Sequence, residues 1–167
     1  MYGVILLGFA TGCRAMTPIA VLCWFMWQGA LPVTGLNYWE ANFIAVAVFS
    51  VCAVGEYVGD TLPTAPSRKC LFPLICRVVL AMWIGVSVAS SFLQPLAGGI
   101  VFGGVSAVIG AYVGYALRMR LARWVGRDLP VAVTESALTL ALSFFALHGM
   151  ARDWATEMAR PVHTLFR

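Results

Sequence analysis

Glu56 and Asp60 lie four residues apart inside an apolar stretch, so on a helix both carboxylates project from one face. Two acids so placed repel unless something positive sits between them. The pair can bind a divalent ion, hold a shared proton or grip an arginine fork. Three further ionisable residues, Arg14, Arg77 and Glu135, are set in equally apolar surroundings. Charge inside hydrocarbon is expensive, which makes these five residues the candidates for an ion or substrate site.

Each has a plainer reading as well as a functional one. Arg14 stands in GFATGCRAMTP, where Pro18 removes the amide that would bond the carbonyl of Arg14, so the helix should kink or open there. A broken helix beside a buried arginine suits an anion or a coupled ion; the plainer role is a staple from Arg14 to Glu56. Asp60 can equally be a water-exposed residue at a helix end before Pro63. Glu135 follows Pro130 and Thr134 near a helix start, where the dipole favours a carboxylate and capping accounts for part of its presence. Three acids against two arginines leave one negative charge, which a proton or a bound cation would match. No other cofactor is implied. His148 and His163 show no HExxH-type spacing, so zinc is not indicated. The five cysteines form no CxxC pair and read as small packing residues.

The elements that must position these groups are membrane helices. A chain of 167 residues that is 61% hydrophobic and 11% charged cannot hide its apolar surface in one soluble core. Five stretches, 3–27, 42–62, 70–93, 97–117 and 130–149, are each long enough for a hydrocarbon core of about 30 Å. They predict an all-α, polytopic bundle forming a single transmembrane domain over 1–167. Runs such as FIAVAVFSVCAV do not alternate as barrel strands do. No positive n-region precedes the first run, so it reads as a retained helix and not a signal peptide.

Basic residues set the expected orientation. Arg68 and Lys69 follow the second stretch, and Arg118, Arg120, Arg123 and Arg127 follow the fourth. The positive-inside rule then places those connections and the N-terminus in the cytoplasm, in a bacterial inner membrane. The four arginines read as a topology signal touching anionic lipid, without a nucleic-acid motif. At about 1.5 Å of rise per residue all five intramembrane charges fall in the cytoplasmic half or at the midplane, within reach of one another.

Glycines recur four apart at Gly8 and Gly12, Gly55 and Gly59, Gly99 and Gly103, and Gly110 and Gly114. This spacing predicts close helix packing, within the bundle or in a homodimer. GVILLGFA resembles GIVFGGVS, and GDTLP resembles GRDLP, which suggests an inverted repeat relating stretches one and two to four and five.

GFATGCRAMTP, EYVGDTLP, the early arginine of the third stretch and LPVAVTESALTLALSFFAL together resemble the bacterial membrane proteins of the domain of unknown function family 4126. Thr61 departs from that pattern, in which a lysine is usual. The resemblance implies a small polytopic inner-membrane protein and carries no established activity. The residues themselves favour a transporter or channel for a small ion or solute, with the lipid bilayer and a second copy as partners. The alternative is a non-catalytic scaffold or assembly partner. A lipid-processing enzyme ranks below both, because no nucleophile lies beside a base in a known pattern.

Overall fold

The computed structural model describes residues 1–59, 71–125 and 128–159. Its helices are α1 (Tyr2–Cys13), α2 (Met16–Trp27), α3 (Phe43–Gly59), α4 (Leu71–Ser91), α5 (Leu96–Val125) and α6 (Asp128–Met158), with a short 3-10 turn at Tyr38–Ala41 between α2 and α3. Three of them, over Leu71–Ser91, Leu96–Trp124 and Pro130–Met158, are long and apolar enough to cross a membrane. The chain is an all-α membrane protein.

The first apolar stretch is not one span. At Arg14 the backbone turns extended, with φ −138° and ψ 115°, and a new helix begins at Met16. Pro18 falls in the first turn of that helix, where its missing N–H would have had no intrahelical partner, so restarting there is cheap. The chain then reverses. Met1 lies against Gly98 at the start of α5, and the Tyr2 hydroxyl donates to Asp153 near the end of α6. Arg14 reaches Ala132 near the start of α6, yet Trp24 to Ala30 again share a groove with residues 144 to 155. Together α1 and α2 form a hairpin that enters and leaves at one end of the bundle. Each arm has 12 residues. That is about 18 Å against a hydrocarbon core of about 30 Å, so neither arm is long enough to cross it alone.

Two expectations are corrected by this reversal. A single crossing over 3–27 would put Met1 at the same end as Arg118, Arg120 and Arg123, whereas Met1 sits at the opposite end of α5. The proposed repeat would make α1 and α5 antiparallel, but Gly8 packs on Gly103 and Gly12 on Gly110, which makes them parallel.

Glycine sets the closeness of this packing. A side-chain carbon at Gly8, Gly12 or Gly110 would overlap the backbone of the facing helix, and Gly103 meets Ala81 of α4 in the same way. Gly99 faces Gly85, a contact that the four-residue spacing did not mark, and Gly114 lies against Cys13. Among the described residues nothing lies where a side chain at Gly55 or Gly59 would go, so their spacing does not mark a close contact with any described helix. The larger core residues Leu7, Ile19, Leu22, Met26, Ile84 and Leu147 fill the space between the hairpin, α4 and α6. Cys13 and Cys23 are buried between the helices, Cys76 is half-buried and Cys52 is exposed, while Cys70 lies outside the described residues.

Candidate functional site at the hairpin tip

Because α3 runs antiparallel to α2, it carries Glu56 to the point where α2 begins. The Ala15 amide donates to Glu56 Oε1 and the Met16 amide to Oε2, both at 2.9 Å. The first amides of a helix have no intrahelical acceptor, and the helix dipole favours an anion there. Arg77 of α4 comes from another side, with Nη2 3.7 Å from Glu56 Oε1. Arg14 is 1% exposed, donates through Nη2 to the Ala132 carbonyl at 3.2 Å, and lies 5.3 Å over the ring of Tyr57. The Tyr57 hydroxyl in turn shares a 2.7 Å hydrogen bond with Thr17.

Three of the five candidates, Arg14, Glu56 and Arg77, therefore meet at the tip. Glu56 joins the first two apolar stretches through the backbone amides of Ala15 and Met16, the two residues that follow Arg14. Asp60 lies outside the described residues, and with it the Glu56 and Asp60 pair as a metal site. Among the described residues no three His, Cys, Asp or Glu side chains converge on a point suited to a metal ion. A divalent cation on Glu56 would have to displace two amide donors and approach Arg77.

Glu135 lies on the other side of the tip, with Oε2 3.9 Å from Arg118 Nη1. Between α1, α5 and α6 there is a cavity of about 140 Å³, lined in part by Cys13, Arg118, Thr134, Glu135 and Thr139. At roughly 30 Å³ per molecule, that is room for a few waters or a small partly hydrated ion. Cys13 borders this cavity and precedes Arg14, so the two charged groups flank one turn of chain.

A fully buried carboxylate, Glu40, escaped the sequence reading. Glu40 is 0% exposed, and its Oε1 accepts from Trp83 Nε1 and Ser87 Oγ, both at 2.6 Å. Its Oε2 is buried without a hydrogen-bond partner among the described residues. Burial pushes this carboxyl above the ordinary carboxylate range, against the opposing pull of the Ser87 and Trp83 donors. Asn37 extends the cluster by donating to the Ser87 carbonyl and to Ser91 Oγ, and Thr34 bonds Ser90. The signal that marks it is the polar stripe Ser87, Ser90 and Ser91, at helical spacing in an otherwise apolar α4.

Fold and site together define a polytopic helical membrane protein with a re-entrant hairpin whose charged tip is held by neighbouring helices. Comparison of the chain with family models, curated proteins and solved structures returns no match.

Proposed function

We propose that this protein is a small transporter or channel for an ion or small solute, with the hairpin tip as its gate. The observation that carries this reading is the meeting of Arg14, Glu56 and Arg77 where a helix breaks inside the membrane. Non-helical backbone at that depth is tolerated where it lines a cavity or is buried in protein, and broken helices are a common way to present backbone groups to an ion. The cavity beside Glu135, walled mostly by apolar side chains but bordered by Arg118, Thr134, Glu135 and Thr139, lies next to that break. Glu56 and Glu135 act as proton or cation sites in this reading, and Arg14 and Arg77 as counter-charges or anion ligands. Asp60 belongs to the same set by sequence.

One hairpin and four longer helices enclose little space, so a homodimer in the bacterial inner membrane is the natural assembly. The arginine-bearing end faces the cytoplasm by the positive-inside rule, which puts both described chain ends on the outer side. The likeness to the domain of unknown function family 4126 agrees with a small inner-membrane protein.

The test is flux in proteoliposomes across a panel of monovalent and divalent cations, anions and protons. Wild-type protein should pass one class, and Glu56→Gln should abolish that flux while the protein still folds. Wild-type flux no greater than that of empty vesicles would favour the scaffold reading, and full flux in Glu56→Gln would remove Glu56 from the pathway.

A further inference from the structure

At the end of the bundle that holds Met1, α2 and α6 diverge and leave an open groove of about 1130 Å³. This exceeds the ~300–1,000 Å³ usual for small-molecule sites. It extends along α6 from Ala137 to Ala155. That is about 27 Å of helix, a little more than half of the ~40–45 Å bilayer that includes both headgroup layers. The groove therefore has the length of one lipid, from headgroup to chain end.

Its chemistry changes along that length. Phe25, Leu140 and Phe144 line the deeper part, while Gln28, His148 and Arg152 stand toward the mouth. Among the described residues no aspartate or glutamate lines it. Arg152 is exposed and makes no hydrogen bond or ion pair among the described residues. The adjacent Asp153 does not pair with it; its carboxylate is bonded instead to the Tyr2 hydroxyl, at 2.7 Å. His148 stacks on Phe144 with ring centres 5.7 Å apart, which fixes a second polar group beside the apolar wall. Trp24 and Trp154 flank the groove, the residue type that favours the headgroup level.

We propose that the groove between α2 and α6 seats one anionic phospholipid, with an acyl chain against Phe25, Leu140 and Phe144 and the headgroup phosphate on Arg152. The match is one of charge and of shape: an unpaired cation at the headgroup level above an apolar slot one lipid long. The site is independent of whether the hairpin tip conducts an ion.

The experiment is native mass spectrometry of the full-length protein in neutral detergent, with dioleoyl phosphatidylglycerol or dioleoyl phosphatidylcholine added. The wild type should retain one phosphatidylglycerol per chain in preference to phosphatidylcholine. Arg152→Gln should weaken retention about fivefold, the worth of one basic residue at an anionic surface. Ala141→Trp, which fills the groove, should abolish the adduct, and Arg123→Gln at the far end should leave it intact. Equal retention of the two lipids, or an adduct that survives Ala141→Trp or is lost in Arg123→Gln, would overturn the proposal. If Ala141→Trp does not fold, the exposed Arg152→Gln decides alone: an unchanged preference for phosphatidylglycerol refutes the assignment.

Discussion

Two carboxylates stand at opposite ends of the hairpin, Glu40 buried and Glu56 half-buried, and they are held in different ways. Glu56 at the tip accepts from two backbone amides and lies beside an arginine, so these described neighbours are all donors and one is cationic. Glu40, in the connection after α2, has only the neutral donors of Trp83 and Ser87 on one oxygen and none on the other. The first arrangement locks a helix break in place. The second pins a loop to α4. The same side chain is thus given two tasks by the donors around it.

The comparison is broken most severely at the tip. Glu56→Leu removes the acceptor of two amides and one carboxylate partner of Arg77 and should cost about 3–5 kcal/mol, the range for removing one partner of a buried pair. Chemical or thermal unfolding in detergent measures it. Gly12→Leu attacks the same hairpin from outside the charge cluster, by forcing α1 away from Ala107 and Gly110. A loss of about 1–3 kcal/mol is expected from overpacking.

Glu40 should show itself through pH. Its pKa is raised by folding, so its stabilising contribution is full below the ordinary value of 4.5 and is lost as pH rises through the folded value. Stability should therefore fall on going from acid toward neutral pH, by about 1.4 kcal/mol for each unit separating the two values. Melting curves of Glu40→Gln should lack this fall and match the wild type at low pH. The smallest effect belongs to Tyr57→Phe, which removes one hydrogen bond to Thr17 and should cost about 0.5–1.5 kcal/mol by the same melts.

Helix content and the break near Arg14 were legible in the sequence, because apolar length and the position of Pro18 are local properties. The direction of the chain after the break was not. An extended residue at Arg14 allows α2 to continue onward or to fold back, and contacts with α5 and α6 decide between these. The contact of Glu56 with the start of α2 was half legible: proximity to the first stretch was expected, but the donors are backbone amides, which carry no sequence signature. Glu40 was missed because its partners sit 43 and 47 residues away in α4, and only the serine stripe hinted at them. The glycines of α1 and α5 announced their packing, whereas Gly55 and Gly59 carry the same spacing without a facing helix among the described residues.

The account rests on the hairpin returning to the end it came from, and sided cysteine labelling tests that directly. In a background lacking the native cysteines, Tyr2→Cys, Gly35→Cys and Arg120→Cys are each exposed to a membrane-impermeant maleimide, in intact cells and in inverted vesicles. The re-entrant hairpin predicts that positions 2 and 35 label from the same side and position 120 from the other. Labelling of positions 2 and 120 from one side and 35 from the opposite side would show that the first apolar stretch crosses the membrane, and would contradict the hairpin.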